Sequence, residues 1–259
     1  MFQISISSEE LSGLPLRAFP GEIGVIDSVG KAFDEAMRYL ERQTLLGFDT
    51  ETRPSFSPDQ PHYGTALLQL SGPKKCFLFR INKMGVPPRL CRLLSKSEII
   101  KVGAAILDDI RGLQKVHGFT AGGFVDLQKE VWQYGILDKS VKKMTAIILG
   151  YKISKTQQLS NWEASSLSDA QMRYAATDAW VCREMFLALM KQEKHPLPPE
   201  VMNPPQKEEK AEKKPKAETV PADKPKKRKR KNRPGSRQRR RRKMLALNRQ
   251  QAEQEKNNG

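Results

Sequence analysis

The segment LLGFDTET, residues 45–52, decides how this chain folds. Four apolar or small residues lead directly into Asp49 and Glu51, which is the pattern of a buried strand that ends in acidic side chains. Because alternate residues of a strand point to the same face, the two carboxylates are expected side by side. Such a pair repels unless a cation lies between its members, and Mg²⁺ and Mn²⁺ prefer oxygen ligands. Taken alone, however, the pair is more often two surface acids on an edge strand.

Further apolar runs surround this segment and are separated by turn residues. They predict buried strands at 45–48, 66–70, 76–79 and 99–102. Apolar residues at helical spacing predict helices at 29–40, 110–116 and 141–149, whereas residues 122–127 fit either a strand or a loop. Closely spaced strands followed by alternation with helices indicate an α/β fold, with a mixed sheet that is antiparallel at its start and parallel later.

Two more acidic elements accompany the first. KVGAAILDDIRGL, residues 101–113, carries a strand into Asp108 and Asp109 at the start of a helix, where simple capping by the helix dipole is the alternative explanation. The last helix opens with a capping box at Ser168 and is stopped by prolines from residue 196 onward. Tyr174 and Asp178 lie four residues apart on it and share a face, which could equally be a partly exposed polar edge.

Together these elements resemble the DEDD superfamily of 3′→5′ exonucleases, in its tyrosine-containing subclass. Residues 157–186, with SNWE ahead of the helix that carries YAATD, look like the ribonuclease D and Werner-type exonuclease branch. In the second element, the acid four residues before Leu113 has the spacing of the family's motif. The catalytic residues of the family carry over onto Asp49, Glu51, Asp109, Tyr174 and Asp178.

This resemblance implies a ribonuclease H-like mixed sheet flanked by helices, and two Mg²⁺ or Mn²⁺ ions. By the family pattern, Asp49 bridges the two ions and Glu51 and Asp178 bind the one that activates water. Asp109 holds the other ion through water, and Tyr174 orients the attacking water. The implied activity removes nucleoside monophosphates from the 3′ end of single-stranded DNA or RNA. The rival interpretations are a non-catalytic nucleic-acid-binding protein on an exonuclease scaffold and a small-molecule phosphohydrolase.

The charge distribution divides the chain. Residues 193–259 hold 22 Lys and Arg against 9 Asp and Glu, a net +13 of the total +17, and nine of the 17 prolines. This composition predicts a disordered basic tail. We therefore expect an N-terminal extension at 1–24, an exonuclease domain at 25–192 and the tail at 193–259. Residues 224–243 contain 14 Lys or Arg and no acid, which predicts electrostatic binding to a nucleic-acid backbone and resembles a nuclear localisation signal.

Several classes of protein are disfavoured. No apolar run approaches the length of a membrane span, and the N-terminus lacks the pattern of a secretory signal. The three cysteines form no CxxC pair, so they are expected to be reduced and buried rather than joined in disulfides or bound to zinc. We expect a cytoplasmic protein, or a nuclear one in a eukaryote, without membrane partners. The sequence determines neither the oligomeric state nor the choice between DNA and RNA.

Overall fold

The computed structural model describes residues 1–57 and 60–202 of the chain. Its strands are β1 Glu22–Ile26, β2 Leu45–Thr52, β3 Thr65–Ser71, β4 Lys75–Phe79, β5 Ile100–Gly103 and β6 Phe124–Asp126. Its α-helices are α1 Ser8–Gly13, α2 Lys31–Leu40, α3 Ile81–Met84, α4 Pro88–Ser95, α5 Leu107–Val116, α6 Leu127–Glu130, α7 Val141–Leu149, α8 Asp169–Leu189 and α9 Pro199–Met202. A short 3₁₀ helix, Val131–Tyr134, follows α6.

The six strands form one mixed sheet in the order β1-β4-β3-β2-β5-β6. The strands β2, β3 and β4 are antiparallel neighbours, whereas β5 is parallel to β2, β6 is parallel to β5, and β1 is parallel to β4. This confirms the predicted α/β fold with a mixed sheet, in which the predicted strands run antiparallel first and parallel later; β1, which the sequence did not predict, adds a parallel pair at the far edge. Strand β2 is central, so the acids at its end lie near the middle of the sheet.

Helices cover both faces of the sheet. All seven residues of β3 are buried, because side chains on either face meet a helical layer. On one face, α2 and α4 pack against Phe48 and Leu70. On the other face, α7 and α8 pack in two clusters that include Val102 and Leu67. Tyr174 and Asp178 of the predicted site lie on α8 and therefore on this second face, whereas Asp109 lies on α5, which packs against the first.

Helix α8 is the long helix that the capping box predicts. The Ser168 hydroxyl accepts from the backbone N–H of Gln171 at 3.3 Å, and the Gln171 side chain accepts from the Ser168 N–H at 3.0 Å. These two bonds satisfy N–H groups that the first turn of a helix otherwise leaves without partners. The helix ends at Leu189, before the prolines that were expected to stop it.

The N-terminal boundary of the folded body lies earlier than predicted. Strand β1 pairs parallel with β4 from Glu22 onward, and Phe19 is 1% exposed. The Phe19 N–H donates to the Thr177 hydroxyl on α8 at 3.0 Å, and Leu16 forms a parallel bridge with Lys152. Much of the predicted extension at 1–24 is therefore part of the folded domain. Its residues follow no helical or strand period, so the sequence pattern did not predict that they pack against the domain.

The outermost N-terminal residues are anchored as well. The Asp138 carboxylate accepts from the Ser5 hydroxyl at 2.7 Å and from the Ile6 N–H at 3.0 Å. Lys143 forms an ion pair with the same carboxylate at 2.9 Å. Asp138 thus ties the start of the chain to the loop before α7.

The C-terminal boundary lies later than predicted. The Leu197 N–H donates to the carbonyl of Trp132 at 3.0 Å, and the Leu197 side chain is 7% exposed. Lys194 donates to the Gln133 side chain at 2.7 Å. Residues immediately after 193 therefore contact the domain, contrary to the expected start of disorder there. The rest of the predicted tail, including the basic block, lies outside the described residues.

Two smaller expectations can be compared with the structure. All three cysteines are free and buried, as predicted. Across residues 1–57 and 60–202, none of the helices combines the length and the apolar character that crossing a membrane requires.

Candidate active site

Three carboxylates meet where β2 ends beneath α8. Asp49, Glu51 and Asp178 each offer an oxygen atom, and these atoms lie within 4.8 Å of one another. Asp49 and Glu51 share a face of β2, as their spacing predicts, and both are partly buried. Asp178 comes from α8 and its side chain is only 4% exposed. The expected cluster is thus assembled from elements more than 120 residues apart in the chain.

Helix α8 reaches the sheet because β2 carries a glycine at the crossing point. A Cβ atom added to Gly47 would lie 2.7 Å from the carbonyl carbon of Ala179 and would overlap its oxygen. Glycine is the residue that allows such a close approach of two backbones. The approach brings Asp178, which precedes Ala179, down to the level of Asp49.

Tyr174 lies one turn before Asp178 on the same helix and is 7% exposed. Its ring packs 5.9 Å from that of Trp162, which is completely buried. The SNWE segment therefore braces the helix that bears the tyrosine. The alternative of a partly exposed polar edge for Tyr174 and Asp178 is wrong, because both side chains are buried.

Asp109 lies beside the cluster rather than within it. Its carboxylate accepts a hydrogen bond from the Thr50 hydroxyl at 2.6 Å, which ties the first turn of α5 to β2. The neighbouring Asp108 has a side chain that is 92% exposed and pairs with Arg111 at 3.3 Å. Of the two adjacent acids, Asp109 is therefore the partly buried one that is bonded to β2, whereas Asp108 points to solvent.

The electrostatics of the site show a strong excess of negative charge. Burial, reinforced by the charges of Asp178 and Asp109, raises the pKa of Asp49 well above its ordinary value. Burial and the charge of Asp49 raise the pKa of Glu51 to about 10. Burial also raises the pKa of Asp178, although the Lys155 ammonium opposes this. Close, desolvated carboxylates without a compensating ion behave in this way.

The donor set fits a hard divalent cation. Asp178 Oδ1 is buried and has no hydrogen-bond partner, although a buried carboxylate oxygen normally has one. Asp178 belongs to a cluster of carboxylates, whose oxygens are the ligands that Mg²⁺ and Mn²⁺ prefer. An ion bound among these residues would remove both the repulsion and the unsatisfied oxygen.

Two residues at the site were missed by sequence reasoning. Lys155 Nζ forms an ion pair with Asp178 Oδ2 at 2.7 Å, and no local pattern distinguishes this lysine from others in polar loops. Gln69 lies opposite Asp49 in the β2–β3 ladder, and both polar atoms of its buried amide lack partners. An isolated glutamine within the apolar run ALLQL is a signal that could have identified Gln69.

A family model and several known proteins are similar to this chain over more than half of its length. The family model described as 3′-5′ exonuclease matches residues 29–194. The chain is 32% identical over 168 residues to exonuclease 3′-5′ domain-containing protein 2 of Drosophila melanogaster, covering 62% of this chain and 28% of that protein. It is 32% identical over 184 residues to the bifunctional 3′-5′ exonuclease/ATP-dependent helicase WRN of Mus musculus, covering 64% of this chain and 12% of that protein. The chain thus spans less than a third of the length of these relatives.

The fold also occurs in solved structures. Escherichia coli RNase D, described as an exoribonuclease involved in structured RNA processing, has a TM-score of 0.59 at 20% identity. The match covers 65% of this chain and 44% of that one. At this identity the likeness concerns the fold, and it confirms the expected ribonuclease H-like architecture. Because the family match takes in every strand from β2 onward together with the whole of α8, the chain belongs to the 3′-5′ exonuclease family.

Proposed function

We propose that this protein is a two-metal-dependent 3′→5′ exonuclease that removes nucleoside monophosphates from single-stranded DNA or RNA. The observation that carries the proposal is the convergence of Asp49, Glu51 and Asp178 within 4.8 Å, with Tyr174 one helical turn away. A non-catalytic scaffold would gain nothing from these buried like charges, since each raises the cost of burying the others. The 3′→5′ direction is carried over from the names of the relatives.

Four carboxylates would hold the two ions. Asp49, Glu51 and Asp178 supply the clustered oxygens, and Asp109 lies at the edge beside Thr50. Bound there, two divalent ions would stabilise the negative charge that develops on the attacking and leaving oxygens of a phosphodiester. Their charge of +4 balances four carboxylates, which explains why the chain gathers so many acids in one place.

Tyr174 is proposed to act as a hydroxyl that positions water rather than as a base. Burial and the charges of Asp178 and Glu51 raise the pKa of Tyr174 above its ordinary value, so the phenol keeps its proton at neutral pH. A protonated phenol can both donate and accept hydrogen bonds. Packing against Trp162 fixes the ring, and the attacking water would therefore meet a hydroxyl of defined position.

Attack at a chain end is carried over from the family, whose model is described as a 3′-5′ exonuclease. The basic block at 224–243 is proposed to hold the rest of the strand through its phosphates, without reading sequence.

Degradation of 5′-labelled single-stranded DNA and RNA oligonucleotides tests the proposal. With Mg²⁺ or Mn²⁺ we expect a ladder that shortens from the 3′ end, together with released monophosphates, and no products in EDTA. Asp49→Ala and Asp178→Ala should each abolish cleavage while the chain stays folded, because both changes relieve repulsion among the acids.

The matched control is Asp34→Ala, which removes a 53% exposed carboxylate that pairs with Arg89 on α4. This variant should cleave like the wild type. If Asp49→Ala or Asp178→Ala kept activity within about tenfold of the wild type, the metal-based proposal would be wrong, since loss of a metal ligand costs far more. Binding of oligonucleotides without any cleavage would favour the scaffold interpretation.

A further inference from the structure

Lys155 places a positive charge directly on the carboxylate cluster. Its ammonium donates to Asp178 Oδ2 at 2.7 Å and to the Tyr174 hydroxyl at 3.4 Å. Among the ion pairs of residues 1–57 and 60–202, this is the one that involves a member of the cluster. The ammonium also opposes the rise in the pKa of both Asp49 and Glu51, so its field reaches the whole cluster.

The lysine is held in place rather than free to leave for solvent. Its segment lies between α7 and α8, where the Lys152 N–H donates to the Pro15 carbonyl and the Arg17 N–H donates to the Lys152 carbonyl, each at 2.9 Å. Ile153 of the same segment is 2% exposed. The Lys155 side chain is 28% exposed, and its ammonium also lies 5.3 Å from the centre of the Tyr174 ring. The fold of this segment thus holds Lys155 where it pairs with Asp178.

Lys155 and a metal ion would compete for the carboxylate of Asp178. Asp178 Oδ2 accepts from the ammonium, Oδ1 has no hydrogen-bond partner, and Asp178 belongs to the cluster that fits a divalent cation. A second cation bound to the same carboxylate is repelled by the first, and this repulsion is strong where water is excluded. An ammonium also supplies only one positive charge, so it reduces the repulsion among three acids without removing it.

We infer that Lys155 is the resident counter-cation of the carboxylate cluster, holding Asp178 and Tyr174 in place before metal arrives and weakening the binding of the metal that Asp178 takes. Lys155 is in this sense a positioning residue that sets the metal affinity of the site. The inference rests on the proposed function, because it requires that the cluster bind divalent ions.

Calorimetric titration of Mn²⁺ into the full chain, stripped with EDTA, tests this inference. Lys155→Met keeps the length of the side chain and removes its charge, whereas Lys155→Gln removes the charge and keeps a hydrogen-bond donor. Both variants should bind Mn²⁺ at least about tenfold more tightly than the wild type, a gain of about 1.4 kcal/mol. Using two variants also guards against the failure of one of them to fold.

Lys143→Met is the matched control. Lys143 pairs with Asp138 at 2.9 Å in a comparable, partly buried setting. This variant should lose some thermal stability and keep its affinity for Mn²⁺ within about twofold of the wild type, because it leaves the cluster untouched. A gain in Mn²⁺ affinity as large as that of the Lys155 variants would show a general effect of net charge and overturn the inference.

The outcomes separate this inference from the proposed function. Unchanged or weaker Mn²⁺ binding by both Lys155 variants, in a wild type that binds Mn²⁺ and cleaves, would overturn the inference alone. A fall in kcat with unchanged Mn²⁺ affinity would also overturn it and assign Lys155 to the substrate phosphate instead. A wild type that neither binds Mn²⁺ nor cleaves would refute the proposed function itself.

Discussion

The crossing of β2 and α8 at Gly47 gives a sharp test of how the site is assembled. In Gly47→Ala, the added methyl carbon would start 2.7 Å from the carbonyl carbon of Ala179 and would overlap the carbonyl oxygen. Non-bonded carbon atoms pack at about 3.5–4.0 Å, so α8 has to move away from the sheet by at least about 1 Å. The clash is with backbone, which cannot rotate away as a side chain would.

This displacement acts on both stability and catalysis. Overpacking of a well-packed core costs about 1–3 kcal/mol, which we expect as the loss in the free energy of unfolding by urea. Asp178 precedes Ala179 and moves with it, so the carboxylate cluster opens. A misplacement of about 1 Å costs on the order of 100-fold in rate, and cleavage of a labelled oligonucleotide should fall by about that factor.

Gly64→Ala is the control for this experiment. A Cβ atom at Gly64 meets nothing within 4 Å, although Gly64 also lies near the site, immediately before β3. This variant should match the wild type in both assays. Wild-type stability and cleavage in Gly47→Ala would refute the reasoning, because they would show that α8 does not depend on this close approach.

Three further predictions follow from the same structure. Asp109→Asn should lower oligonucleotide cleavage far more than Asp108→Asn, since the Asp108 side chain is 92% exposed; the reverse order would move the ligand to Asp108. Deleting 203–259 should leave turnover at saturating substrate unchanged but flatten the log–log salt dependence of oligonucleotide binding by roughly 3 for four lost phosphate contacts; identical slopes would exclude contact between tail and substrate. Burial tends to raise the pKa of Asp138, but hydrogen bonds, one of them from Lys143, outweigh it and lower the pKa. Asp138 therefore stabilises the fold above its unfolded pKa, and this contribution is lost as the pH falls through the folded value. The free energy of unfolding of Asp138→Asn in urea should thus lie below that of the wild type at pH 7 and converge with it in acid; a gap independent of pH would contradict the argument.

Much of the fold could be predicted because its signals are local. The run 45–52 forms β2, and the pattern that begins at Ser168 forms α8 with its capping box. Each depends on residues a few positions apart, whose side chains interact within a single element. The shared face of Asp49 and Glu51 follows in the same way from the pleat of one strand.

The ends of the domain could not be located in this way. Phe19 is buried, although the segment around it has no period, because its contacts are to α8, far along the chain. Leu197 is likewise buried beyond the point where the composition changes. Composition describes an average over many residues, whereas one well-placed apolar side chain is enough to hold a segment against a core.

The sequence by itself determined which chemical groups are available to this protein: acids at the end of a buried strand, an acid at the start of a helix, and a tyrosine and an acid one turn apart on another helix. Only the tertiary structure decided that Asp178 meets Asp49 and Glu51, that Asp109 lies beside them, and that Lys155 rests on Asp178. The physical reason is the range over which the determining interactions act. Strand and helix periodicities arise from neighbouring residues, but the distance between two carboxylates on different elements depends on the order of the sheet and on how closely α8 packs at Gly47.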